Sequence, residues 1–166
     1  MKILGIDIGL NGGISSFENG VLEVHPIPTM EVMVGKKMRN QYDINKIVNI
    51  ITNLKCDRAY FERLRAIPGQ RSQTAFSMGG GTMLFKTICT ILKIPFIEIE
   101  PREWQKNVFG ELGVQYDSKT TKLASMQACK QLFPTVSFLK TVRSSVDNDG
   151  MTDSACIAYY GHKRDK

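Results

Sequence analysis

The chain opens with KILGIDIGLNGG (residues 2–13), an apolar strand that carries a single carboxylate, Asp7, in its middle. A charge inside a run of Ile and Leu is costly unless a partner compensates it. The natural partner for such a carboxylate is a divalent metal ion or another ionised group. Gly9, Gly12 and Gly13 then allow a tight turn and the close approach of a phosphate or a second backbone. The alternative is a strand that enters a glycine-rich hairpin, with Asp7 held by hydrogen bonds alone.

The composition is that of a globular protein with a surplus of basic residues. Of 166 residues, 42% are hydrophobic and 23% are charged, and the net charge is +6. This length predicts a single domain over residues 1–166, and the pI of about 9.2 favours a polyanionic partner, above all nucleic acid. No apolar run approaches the length of a membrane span, so we expect a cytoplasmic protein without a membrane partner. The cysteines lack metal-ligand spacing and are predicted to be reduced core residues: Cys56, Cys89, Cys129 and Cys156.

Apolar periodicity predicts an α/β chain that begins with three antiparallel strands and continues with helices and two further strands. Asn19-Gly20 supplies the tight turn between the second and third strands. Asp43 is predicted to cap the first helix, whose apolar residues recur at helical spacing. The predicted strands are residues 1–8, 14–17, 21–25, 58–62 and 94–99.

The segment 29–42 shows no clear periodicity and contains Lys36, Lys37 and Arg39. It is predicted to be a mobile basic loop, which is either a solvated surface or an arm on a phosphate backbone.

Further acids occur where a strand ends and where the last helix begins. Glu62 closes the strand 58–62, and a basic turn with three arginines, residues 63–71, follows it directly. Asp149 and Asp153 lie one turn apart on the same face of the last helix. Acids at a helix start are also ordinary complements of the helix dipole. The small residues that follow nevertheless allow this helix to lie close on a sheet.

Two other features have both a packing and a functional interpretation. Gly79-Gly80-Gly81 falls inside the predicted helix 72–92, where glycine costs helix stability. Close packing of another element explains it, and a dimer contact is the functional alternative. Trp104 is the only tryptophan, and we expect it in the core rather than as a platform for nucleic-acid bases.

The three acidic segments resemble, in order and separation, the motifs of RuvC-type Holliday junction resolvases: IDIG (residues 6–9), YFE (60–62) and DGMTDSA (149–155). The resemblance covers nearly the whole chain and is closest to the small RuvC-like resolvases of bacteriophages. It implies a ribonuclease H-like fold, with a five-stranded mixed sheet of three antiparallel N-terminal strands plus parallel strands, flanked by helices. If the chain is of phage origin, it also implies the cytoplasm of a bacterial host.

The resemblance implies phosphodiester hydrolysis with two metal ions, which in such sites lie about 3.5 to 4 Å apart. Clustered carboxylates suit Mg²⁺, which prefers oxygen ligands, and Mn²⁺ is expected to substitute for it. By this resemblance Asp7 bridges both ions, Glu62 and Asp149 each complete one side, and Asp153 holds the second ion. Because the acids repel one another without metal, metal binding is expected to stabilise the fold.

Two positions depart from the family pattern. Bacterial relatives usually carry their third ligand three residues before the last acid, where this chain has Gly150. Asp149 is therefore the substitute, and Asp147 remains an alternative. Many junction resolvases also carry an aromatic wedge shortly after the catalytic Glu, where this chain has Leu64 and Arg65. We therefore expect a looser endonuclease for branched DNA, including Holliday junctions, forks and flaps.

The resemblance also implies a homodimer that presents two active sites, since a four-way junction has two-fold symmetry. Two other functions stay open: a non-catalytic basic DNA-binding module, and an actin-like phosphate-binding ATPase. The ATPase also opens with an Asp-x-Gly strand, but it requires a second phosphate loop and a longer chain. The candidate DNA contacts are Arg63, Arg65, Arg71, Lys119 and Lys122, followed by Lys36, Lys37 and Arg39.

Overall fold

The structure, a computed structural model, describes residues 1–65 and 69–166. Its described strands are β1 (Ile3–Asp7), β2 (Gly13–Glu18), β3 (Val21–Pro26), β4 (Thr29–Val34), β5 (Lys37–Tyr42), β6 (Arg58–Glu62) and β7 (Phe96–Ile99). Five of them form one sheet in the order β3-β2-β1-β6-β7, and β4 and β5 form a separate two-stranded ribbon.

The five-stranded sheet is mixed, as the sequence predicted. β2 pairs antiparallel with both β1 and β3, and β6 pairs parallel with both β1 and β7. Asn19 and Gly20 adopt positive φ angles of 50° and 85°, which the tight turn between β2 and β3 requires. β1 and β6 run parallel with Ile6 opposite Phe61. The acids that follow, Asp7 and Glu62, therefore end their strands at the same edge of the sheet.

The described helices are α1 (Ile44–Leu54), α2 (Ser72–Ile91), α3 (Pro101–Glu111), α4 (Thr121–Leu132) and α5 (Asp149–Arg164). The side chain of Asp43 accepts a hydrogen bond from the Lys46 backbone N–H at 3.1 Å and so caps α1 as predicted. Among the described residues, none of the helices combines the length and the apolar content that crossing a bilayer requires.

Helices cover both faces of the sheet and enclose two hydrophobic cores. Leu4 and Ile6 face the core that contains α1 and α2, whereas Ile3 and Tyr60 face the core that contains α3, α4 and α5. Because side chains alternate along a strand, Asp7 lies on the same face as Ile3, toward α5. The predicted cysteines are buried and free.

Helix α5 lies directly on β1. A Cβ atom at Gly5 would stand 2.5 Å from the backbone nitrogen of Ala158 and 2.8 Å from its Cβ. The small side chains of Ser154, Ala155 and Ala158, all buried, permit this approach. The close contact fixes the start of α5, and the acids it carries, against the end of β1.

The segment 29–42 is a β-ribbon, so the prediction of a mobile loop was wrong. β4 and β5 pair over their whole length around Gly35, which has a φ of +62°. The run MEVMV (residues 30–34) contains two valines, which favour strands, and the neighbouring basic residues obscured this signal. Lys36 lies at the tip of this ribbon, and Lys37 and Arg39 lie on β5.

The glycine run in α2 has two different environments. A Cβ atom at Gly81 would lie 2.7 Å from the Tyr42 hydroxyl and 2.9 Å from Ile8, whereas Cβ atoms at Gly79 and Gly80 would meet nothing within 4 Å. Close packing therefore explains Gly81, and a dimer contact at the other two stays a prediction. The predicted basic turn 63–71 includes residues 66–68, which lie outside the described residues.

Candidate active site

Asp7 is the most strongly perturbed carboxyl group of the site. Burial raises its pKa well above the ordinary value of 3.8, and the negative charges of Asp153, Glu62 and Asp149 raise it further. Lys122 opposes this shift with its positive charge. The interactions show that the predicted acids of β1, β6 and α5 lie near one another at one edge of the sheet.

Glu62 is held by the tryptophan of α3. The indole Nε1–H of Trp104 donates a hydrogen bond to Glu62 Oε1 at 2.7 Å. Burial raises the pKa of Glu62, and this hydrogen bond lowers it, since it favours the charged form. Trp104 is only 1% exposed. The expectation of a core residue is confirmed, and the ring also orients a site carboxylate.

Asp153 lies one turn into α5, beside Ser125 of α4. Burial raises its pKa to about 7. A hydrogen bond from Ser125 lowers the pKa, whereas the charges of Glu62 and Asp149 raise it. A carboxyl group with this pKa exchanges its proton near neutral pH, unlike an ordinary surface aspartate.

Asp149 has the opposite electrostatic character. Burial by itself raises its pKa, but the hydrogen bond and charge of Lys122, with the Gly150 backbone N–H, hold the pKa below 3.8. Lys122 Nζ donates this hydrogen bond to Asp149 Oδ2. The same ion pair raises the pKa of Lys122. Asp149 is therefore an ionised carboxylate that already has a cationic partner.

Of the two alternative third acids, Asp149 is the one that interacts with the other site carboxylates. Asp147 instead pairs with Lys130 at 3.6 Å. Close packing explains why position 150 is a glycine and not the acid of the bacterial pattern. A Cβ atom there would lie 2.7 Å from the carbonyl carbon of Gly12, and the two residues form a β-bridge. No side chain fits at position 150 while the loop after β1 keeps this course.

The donor chemistry of the site fits a hard divalent cation. The carboxylates of Asp7, Glu62 and Asp153 are buried and repel one another, and oxygen ligands of this kind suit Mg²⁺. Within residues 1–65 and 69–166, no three acidic, His or Cys side chains are already gathered as a metal cage. Binding a cation therefore requires these side chains to close around it.

The predicted DNA contacts are exposed and lie in four places. Arg63 and Arg65 follow β6, and both pair with Glu100, Arg63 at 3.7 Å. Lys119 and Lys122 lie at the start of α4, with the Lys122 side chain 70% exposed beside Asp149. The remaining basic residues belong to the β4–β5 ribbon and to the residue before α2: Lys36, Lys37, Arg39 and Arg71.

Sequence reasoning missed three residues of this site. Besides Trp104, Ser125 contacts Asp153, and Tyr42 at the end of β5 lies near Asp7. Burial raises the pKa of the Tyr42 phenol, and the charge of Asp7 raises it further. The valine-containing apolar run of β4 could have predicted the ribbon that carries Tyr42. No local signal marks the other two contacts, because they join distant parts of the chain.

A mixed sheet in the order 3-2-1-6-7, with acids at the ends of its two central strands and on the helix across them, defines a ribonuclease H-like α/β fold. No protein-family model matches the chain, and no curated protein matches it. Solved structures do match, and they show that the chain has the RuvC-like resolvase fold.

RuvC of Thermus thermophilus matches with a TM-score of 0.59 at 10% identity, over 99% of this chain and 97% of that chain. The T. thermophilus RuvC complex with a Holliday junction substrate gives 0.56 at 9% identity, over 99% and 96%. Fowlpox virus resolvase, bound to Holliday junction DNA, gives 0.54 at 10% identity, over 99% and 98%. At these identities the similarity concerns the fold.

Proposed function

We propose that the protein is a metal-dependent, structure-selective endonuclease that nicks branched DNA: Holliday junctions, forks and flaps. The observation that carries this proposal is the set of buried, mutually repelling carboxylates from β1, β6 and α5 in a chain with a net charge of +6. Burying such acids is costly unless a cation joins them. A basic surface around them suits a polyanionic substrate.

When bound at these acids, two divalent ions, Mg²⁺ or Mn²⁺, would supply an activated water and would stabilise the charge on the attacking and leaving oxygens. The residues that would hold these ions come from β1, β6 and α5: Asp7, Glu62, Asp149 and Asp153. Trp104 orients Glu62 by its 2.7 Å hydrogen bond, which favours the charged form against the effect of burial on the pKa. Lys122, with its side chain 70% exposed beside Asp149, is positioned to bind the substrate phosphate.

The basic residues outside the acid cluster would bind phosphates of the DNA backbone. Arg63 and Arg65 follow β6, Arg71 directly precedes α2, and Lys119 lies three residues before Lys122. Phosphate contacts of this kind position a nuclease on DNA without reading sequence. A homodimer would present two such sites to the two-fold symmetric junction. We propose that the protein acts in the cytoplasm, which is that of a bacterial host cell if the chain is of phage origin.

The test is incubation of the purified protein with end-labelled four-way junctions, forks, flaps and linear duplex. Each substrate is offered with Mg²⁺, Mn²⁺ or EDTA. We expect metal-dependent nicks near the branch points, and no nicks from an Asp7→Asn variant that still binds the junction in gel-shift assays. The pattern across substrates decides between a strict resolvase and a general debranching nuclease.

Asp149→Asn and Asp147→Asn form a matched pair of variants. We expect the first to lose cleavage and the second to keep it, since only Asp149 interacts with the other site acids. If the wild-type protein binds branched DNA but never cuts it with either metal, the hydrolytic mechanism is wrong and a DNA-binding module is the better function.

A further inference from the structure

A cavity of about 530 Å³ opens beside the acid cluster. Its walls come from three places: the loop after β1, the end of β5 and the first half of α2. This volume lies in the range of about 300 to 1,000 Å³ that small-molecule sites occupy. The residues that matter for its chemistry are Leu10, Asn11, Asn40, Gln41, Tyr42 and Phe76.

The cavity adjoins the candidate catalytic edge of the sheet. Ile8 and Gly9, which follow Asp7 in the chain, line it directly. Tyr42 lines it as well, and its hydroxyl lies near Ile8, since a Cβ atom at Gly81 would stand 2.7 Å from that hydroxyl and 2.9 Å from Ile8. A nucleotide whose phosphate lies at Asp7 would therefore have its sugar and base near the mouth of this cavity.

The lining combines aromatic surface with amide groups. Phe76 is 83% exposed and lines the cavity, so its ring is accessible to a ligand there. Asn40 and Gln41 present side-chain amides that make no hydrogen bond to any other described residue. Flat apolar surface for stacking and amides for the base edge are the two elements that proteins use to hold an unstacked nucleobase.

The surrounding charge favours a nucleic acid over a second copy of this basic chain. Lys36, Lys37 and Arg39 lie on the ribbon that forms one wall, and all three are exposed. These cations would hold the phosphates on either side of a base that enters the cavity.

We propose that this cavity binds one unstacked nucleobase of the DNA strand next to the branch point. The inference rests on the proposed function, since it assumes that branched DNA is the ligand. It adds a site of base recognition, formed by Asn40, Gln41, Tyr42 and Phe76, to a mechanism that otherwise contacts only phosphates. The cleavage position would then depend on the base that the cavity accepts.

The glycines of α2 supply a matched pair of variants. Gly80 lines the cavity and Gly79 does not, and a Cβ atom at either would meet nothing within 4 Å. Gly80→Leu therefore fills the cavity, and Gly79→Leu places the same side chain one residue earlier. Both replacements remove a helical glycine, so neither is expected to weaken α2.

The experiment uses four-way junctions with 5-iododeoxyuridine at each position near the branch, with Ca²⁺ in place of Mg²⁺. Ultraviolet irradiation joins this base to an aromatic ring that touches it, and mass spectrometry identifies the ring. We expect a cross-link to Phe76 or Tyr42. Its yield should fall about tenfold or more in Gly80→Leu and stay within about twofold in Gly79→Leu.

Cleavage of the same junctions with Mg²⁺ separates the two proposals. Cleavage without a cross-link to either ring would leave the nuclease intact and overturn the base site. A cross-link without cleavage would support the base site and contradict the nuclease. A cross-link that Gly80→Leu leaves unchanged would also overturn the base site. If Gly80→Leu instead alters only the oligomeric state in gel filtration, the cavity receives a second copy of the chain and the inference is wrong.

Discussion

Asp153→Asn should stabilise the metal-free protein at alkaline pH, although it removes a carboxylate from the centre of the site. In the folded state Asp153 keeps its proton up to a pKa of about 7, because it is buried near other acids. In the unfolded chain it loses the proton near 3.8. Between these values the folded state binds more protons, so the wild-type free energy of unfolding falls as the pH rises.

The size of the effect follows from the two pKa values. The shift from 3.8 to about 7 corresponds to about 4 kcal/mol at pH values above both. Most of the loss falls between pH 5 and pH 8, where it amounts to about 2 to 3 kcal/mol. Asparagine cannot ionise, so the free energy of unfolding of the variant does not fall with pH for this reason. Burying its amide destabilises the folded variant by about 1 to 3 kcal/mol, and this cost does not depend on pH.

The measurement is urea unfolding at several pH values from 5 to 8, in EDTA, for wild type and Asp153→Asn. We expect the stability difference between them to shift in favour of the variant by about 2 to 3 kcal/mol across this range. Asp147→Asn serves as the control, since it pairs with Lys130 outside the acid cluster. A difference that stays constant with pH, or that moves in favour of wild type, would refute the reasoning.

Three further predictions concern packing, orientation and metal. Gly5→Ala should lower stability by about 1 to 3 kcal/mol because its Cβ meets α5, whereas Gly110→Ala, which meets nothing, should raise it by up to about 1 kcal/mol; thermal melts compare the two. Trp104→Phe should slow cleavage about tenfold and move the pH profile upward, because Glu62 loses its donor; an unchanged profile would limit Trp104 to packing. Mg²⁺ at about a hundredfold over Kd should stabilise wild type by about 2.7 kcal/mol, and calorimetry should find little effect on Asp7→Asn.

The sheet was predictable from sequence because local sequence patterns mark its strands. The run around Asp7 is apolar on both sides since β1 is central and covered on both faces. Asn19-Gly20 sets its hairpin through positive φ angles. The order of acids along the chain then indicated the fold, and the solved structures confirm it. The roles of these acids as metal ligands stay predictions.

Contacts between distant segments could not be predicted. The hydrogen bond from Trp104 to Glu62 and the ion pair of Lys122 with Asp149 join residues 42 and 27 positions apart. A tryptophan in a helix looks the same in sequence whether or not it holds a carboxylate. The ribbon 29–42 was missed for a different reason, since its basic residues and glycine resemble those of a surface loop.

The contact of Gly12 with Gly150 has a consequence for how such sequences can diverge. The two backbones touch, so an acid three residues before Asp153 is incompatible with this path of the loop after β1. Moving the third acid to that position requires the loop to change at the same time. Natural homologues with a side chain at position 150 should therefore have a different course of the loop after β1, whereas those that keep this loop should keep glycine there. A single Gly150→Asp exchange, without a change in this loop, should destabilise the protein.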